Sequence, residues 1–110
     1  MKHQVTLKEA IKQLEEEKHQ LFTTLLQHGT MKVEYYAPQE KDLQTPHRQD
    51  ELYLIASGSG IFYNDGQRTP FHPGDVLFVP AEKEHRFEDF TPDFATWVIF
   101  YGPDGGEQTT

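Results

Sequence analysis

The chain has 110 residues, no cysteine, and 18 acidic against 10 basic residues, for a formal net charge of -8. That length suits one compact domain. The acidic balance argues against nucleic-acid binding, which needs a basic stripe, and against docking on anionic lipid. The lack of cysteine excludes disulfides, thiolate metal ligands and cysteine nucleophiles. Met1-Lys2-His3-Gln4-Val5 is not followed by an apolar core, so no signal peptide is expected. No apolar run approaches the length of a membrane span, and a soluble cytoplasmic protein is the expectation.

Residues 6–18 predict a helix. Thr6 and Glu9 fit a capping box, and Leu7, Ala10, Ile11 and Leu14 recur at helical spacing as one apolar stripe. The expected role is packing on the sheet or on a partner subunit. Residues 22–27 and 31–36 are β-prone runs flanking His28-Gly29-Thr30, which predicts a hairpin. Residues 37–42 read as a polar loop. Residues 51–56, 61–63, 76–79, 85–90 and 95–101 read as further strands. Asn64-Asp65-Gly66 between two of them is a hairpin turn, because Asp-Gly supplies the positive φ angles such turns demand. Short strands at regular spacing with Gly and Pro turns predict an all-β sandwich or barrel. The expected division is an N-terminal helix over residues 1–20, a β-barrel over 21–103 and a flexible tail over 104–110.

Strand side chains alternate between faces with period two. A regular strand would therefore put Thr45, His47, Gln49, Glu51, Tyr53 and Ile55 on one face. His85 and Phe87 share a face on a second strand. If the barrel sets those strands side by side, His47, Glu51 and His85 surround one point and can hold a divalent ion at roughly 2.0–2.2 Å. The alternative is a polar, hydrogen-bonded cluster without metal, because three inward polar groups cannot stay unsatisfied in an apolar interior. Thr45, Gln49, Tyr53 and Phe87 are the expected pocket residues. His3, His19, His28 and His72 are expected at the surface, with Asp75 stabilising a turn. Arg48 and Arg86 fall out of phase with the neighbouring histidines and are expected outside. The other aromatic residues are expected in the core.

These residues resemble the two motifs of the cupin family. His47, Glu51 and Gly58 match the second histidine, the glutamate and the closing glycine of the first motif, with three and six residues between them. Gly74, Pro80 and His85 match the second motif. Thr45 stands where the first histidine would be, Gln39 replaces the opening glycine, Glu82 a glycine and Asp89 an asparagine. The resemblance implies a jelly-roll β-barrel with one N-terminal helix, a homodimer, and a divalent ion on His47, Glu51 and His85, with Fe, Mn, Zn and Ni all open. Gln44 and Gln49 are expected to hydrogen-bond around the ligands in preference to supplying an amide oxygen to the metal.

The family spans many chemistries, so the resemblance does not choose a reaction. A metal-dependent enzyme of oxygenase or isomerase type, acting on a small organic molecule, is the first expectation. A non-catalytic module that binds or senses a small molecule or a metal is the alternative. No nucleotide-binding loop and no nucleophile elbow frames another chemistry.

Overall fold

The computed structural model describes residues 2–108; residue 1 and residues 109–110, the outer ends of the expected helical and tail segments, lie outside the described residues. Helix α1 spans Leu7–Glu16. The Thr6 hydroxyl accepts from the Glu9 amide at 3.1 Å, and the Glu9 carboxylate accepts from the Thr6 hydroxyl rather than from its backbone. The cap thus forms with a different return arm from that of a capping box.

Among the described residues eight strands follow: β1 Phe22–His28, β2 Met31–Tyr36, β3 Asp50–Ser57, β4 Gly60–Asn64, β5 Gln67–Phe71, β6 Val76–Val79, β7 His85–Glu88 and β8 Ala95–Tyr101. They form a five-stranded sheet in the order β1-β2-β8-β3-β6 and a three-stranded sheet in the order β5-β4-β7. The two antiparallel sheets make the expected jelly roll. Helix α1 packs on its own sheet. Ala10 is fully buried with Tyr35 and Ala95, and Gln13 donates to the Thr23 hydroxyl and the Thr24 carbonyl of β1.

Strand β5 was not legible in the sequence, and its composition explains why. Gln67, Arg68, Thr69 and Pro70 are all exposed, and only Phe71 is buried. It is a sheet edge, where proline is tolerated and polar residues guard the free backbone. The turn before it is as expected: Asp65 and Gly66 have φ of 48° and 92°.

The core between the sheets is largely aromatic. Tyr53, Phe62, Phe71, Phe87, Phe94 and Phe100 pack there with Ile55, Val79 and Val98. Gly58, the closing glycine of the first motif, is required sterically. A Cβ on it would lie 2.5 Å from the Phe94 Cα, and its φ is 79°. Two departures from the motifs also occupy left-handed backbone. Glu82 has φ of 66° and Asp89 of 49°. Asp visits this region readily, whereas Glu pays a steric cost of about 1–2 kcal/mol.

The tail expected from residue 104 carries hydrogen bonds over its described part. The Gly105 amide donates to the Arg48 carbonyl, and the buried Asp50 carboxylate accepts from the Ala81 and Glu107 amides. A single acid at the start of β3 thus ties the chain end to the loop after Pro80.

Candidate metal centre

Glu51 lies one residue into β3 and His85 opens β7, so the two face each other across the sandwich. Glu51 is 0% and His85 2% exposed. His47 sits in the extended segment before β3, with its side chain half-buried at the mouth. The Glu82 amide donates to the His47 carbonyl at 2.6 Å, which holds the loop of the second motif against the segment of the first.

The His85 Nε2 lies 3.0 Å and the His47 Nε2 3.8 Å from Glu51 Oε1. One ligand atom from each residue falls within 4.8 Å of the others, close enough to hold one ion. The His85–Glu51 contact has the distance of a hydrogen bond but not its alignment. Both Glu51 oxygens and the His85 Nε2 are buried without a hydrogen-bond partner among the described residues. Such orphaned groups are costly and call for a ligand. The His85 Nδ1 is 2.9 Å from the Lys83 carbonyl. Donation there leaves the Nε2 lone pair directed at the centre, the arrangement typical of a metal-binding imidazole. The donor set therefore fits a divalent ion.

Burial opposes protonation of His85, but the adjacent Glu51 carboxylate outweighs it and raises the pKa above the ordinary imidazole value. At His47 burial prevails over the same carboxylate, and the pKa falls.

The other expected pocket residues divide. Thr45 lies with His47 on a cavity of about 360 Å³, as do Glu34, Tyr36, Val98 and Phe100. Tyr53 is fully buried; its ring lies 6.1 Å from that of His85 between centroids, and its hydroxyl donates to Gln44 Oε1 at 3.0 Å. Phe87 is a core residue, packed edge-on against Tyr53 and Phe71 and at a tilt against Phe62 and Phe94. Gln49 points elsewhere. It donates to the Thr30 and Gly102 carbonyls and lines a wider, polar hollow of about 590 Å³ that contains no residue of the His47–Glu51–His85 cluster. The chain bends at Arg48 and Gln49 before β3 begins, which breaks the period-two alternation assumed for residues 45–55.

The surface histidines, Asp75 and the two arginines are placed as expected. His72 and Asp75 share a turn, and Arg86 pairs with Glu84 and Glu88 outside the barrel. The sequence reading missed Asp42, Tyr36 and Glu34. Lys32, Glu34 and Tyr36 alternate along β2, a period-two signal that by itself does not say which face is inward. Lys32 pairs in register with Phe100 and Glu34 with Val98, so this is the inner face at the cavity mouth.

A cupin fold with a His/Glu site defines the class, and comparison with known proteins agrees. Residues 32–100 match the family model described as "Cupin domain". The chain belongs to the cupin family. It is 35% identical over 63 residues to an uncharacterized protein of Streptomyces coelicolor, a match covering 57% of this chain and 60% of that one. It is 49% identical over 45 residues to the acireductone dioxygenase of Rhodopseudomonas palustris, covering 37% of this chain and 27% of that enzyme. The chain thus spans less than two thirds of either relative. Among solved structures, a cupin 2 conserved barrel protein from Salinispora arenicola superposes with a TM-score of 0.64 at 18% identity, covering 93% of this chain and 89% of that one. Among the described residues, no helix is long and apolar enough to cross a membrane.

Proposed function

We propose that this cupin binds a divalent metal through His47, Glu51 and His85 and acts on a small organic molecule by oxygenase- or isomerase-type chemistry. The observation that carries the reading is the buried, partnerless Glu51 carboxylate beside two imidazoles, one of which, His47, also lines a cavity. A divalent ion held there would supply Lewis acidity and open coordination positions. The stretch at 49% identity to an acireductone dioxygenase supports the oxygenase branch.

The chain's own groups would do the rest. Val98 and Phe100 present apolar surface to a carbon skeleton. Lys32 and Glu34, paired at 3.4 Å, offer a cation and an acid–base group at the mouth. A mostly apolar wall with a few converging polar groups suits a small polar organic ligand.

Elemental analysis of the purified protein tests the site. Near-stoichiometric metal is expected in the wild type and strong loss in His47→Ala and His85→Ala. Metal retained by both variants would remove this assignment. A shell saturated by protein atoms would instead favour the non-catalytic binding module.

We also propose a homodimer. The registers place Leu52, Leu54, Val76, Phe78, Trp97 and Ile99 on one outer face of the large sheet. Val76 is 62% and Phe78 48% exposed, and α1 packs on β1 and β2 rather than on β3 and β6. A contiguous apolar patch of this kind marks an interface. Sedimentation at micromolar concentration is expected to give a dimer for the wild type and a monomer for Phe78→Glu. A monomeric wild type would end this reading.

A further inference from the structure

Resting on the proposed metal reading, we infer that Gln44 supplies the fourth protein ligand through its side-chain oxygen. It would take over the role of the first-motif histidine, whose position Thr45 occupies. Thr45 is exposed at the cavity mouth and has no side-chain hydrogen bond among the described residues.

Three observations converge on Gln44. The first fixes which end of its amide faces the centre. The Gln44 Nε2 donates to Asp42 Oδ2 at 2.7 Å. The Asp42 carboxylate also accepts from the Tyr36 hydroxyl and from the buried Phe87 amide, so it acts here purely as an acceptor. An amide oxygen could not replace the Nε2 at that contact, because two acceptors would meet. The oxygen therefore points inward.

The second is a lone pair that faces the centre. The Gln44 Oε1 accepts from the Tyr53 hydroxyl at 3.0 Å, and its other lone pair faces the His47 Nε2, which donates to it only while that nitrogen carries the ring proton. An ion bound at the His47 Nε2 would take that proton's place and release the lone pair. The third is spacing. The Gln44 Oε1 is 3.2 Å from the His47 Nε2, and the Glu51 Oε1 is 3.0 Å from the His85 Nε2. Ligands held at about 2.0–2.2 Å from one ion lie about 2.8–3.1 Å apart at right angles and about 3.3–3.6 Å apart in a tetrahedron. The Glu51–His85 separation matches a right-angle edge and the Gln44–His47 separation falls between the two ranges, so each pair is close enough to share one ion, while the 3.8 Å from His47 Nε2 to Glu51 Oε1 is wider than either edge and must close on binding. Asp42, Tyr36 and Tyr53 then act as positioning residues for the amide.

Cobalt(II) is the probe, because its visible absorption reports the number and type of ligands directly. Wild-type protein, Gln44→Met, Gln44→Asn and Thr45→Ala are titrated with cobalt(II). Gln44→Asn keeps the amide but withdraws the oxygen by one methylene, so it remains informative if the methionine variant folds poorly. Both Gln44 variants are expected to lose affinity by about a hundredfold or more and to give an altered cobalt spectrum. Thr45→Ala is expected to leave both unchanged. Loss of a supporting hydrogen bond alone costs about 10–100-fold in affinity, so the spectrum decides. Gln44-variant spectra that superimpose on the wild type overturn this inference and leave the three-ligand site standing. A wild type that takes up no cobalt overturns the metal reading itself, and this inference with it.

Discussion

Glu51→Gln is expected to abolish tight metal binding and, at the same time, to stabilise the metal-free protein. The carboxylate is wholly buried, and neither oxygen has a hydrogen-bond partner among the described residues. An unsatisfied buried polar group costs about 1–3 kcal/mol, more if charged. A glutamine of the same shape removes the charge and brings a donor toward the His85 Nε2, whose ring already gives its Nδ1 proton to the Lys83 carbonyl. The gain depends on pH, and its sign follows from His85. That pKa is raised in the folded protein, so its interaction with Glu51 stabilises fully below the ordinary imidazole range. The contribution is lost as pH rises through the raised value. The substitution should therefore help most at alkaline pH, where His85 is neutral, by about 1–3 kcal/mol, and least where His85 is cationic. Thermal denaturation in chelator across pH, with a metal titration beside it, checks both halves. A variant less stable than the wild type at alkaline pH would mean that Glu51 serves the fold rather than the ion.

Phe87→Ala should be among the most damaging single truncations. Its ring lies 4.8 Å from Tyr53, 4.9 Å from Phe62, 5.3 Å from Phe71 and 4.6 Å from Phe94, measured between centroids. Removing a buried phenyl costs about 3–5 kcal/mol from lost burial and the cavity left behind. A domain of this size has only about 5–15 kcal/mol in total. The same residue donates its amide to Asp42, which holds Gln44, and it lies two positions beyond His85. The expected result is a large fall in the urea midpoint at an unchanged slope, with weaker metal binding in what remains folded. A loss below about 1 kcal/mol would show that the neighbouring rings close over the gap. Phe78→Ala, on the outer face, is the contrast and should cost the isolated subunit little.

Much of the architecture is legible because its signals are local. Thr6 caps α1, Asp65-Gly66 turns the β4–β5 hairpin, and seven of the eight strands announce themselves by β-prone residues between turns. Strand β5 escaped because an edge strand needs no apolar pattern. The three proposed ligands were legible for a related reason: an inward carboxylate and two imidazoles at motif spacing have few other uses. Strict alternation along residues 45–55 does not hold in the structure. The bend at residues 48 and 49 sends Gln49 away while His47 and Glu51 still converge.

Residue order alone was enough to specify every element except β5, as well as the hairpin turn and the chemical types gathered at the centre, since these depend on backbone preference and short-range periodicity. Tertiary packing decided which side of β2 faces inward, and hence that Glu34 and Tyr36 line the cavity instead of meeting water. It also turned Asp42 from a loop acid into the anchor of Gln44, and made Phe87 core rather than pocket. Those outcomes depend on how two sheets register across a shared interior, which involves residues far apart in the chain and leaves no trace in local spacing.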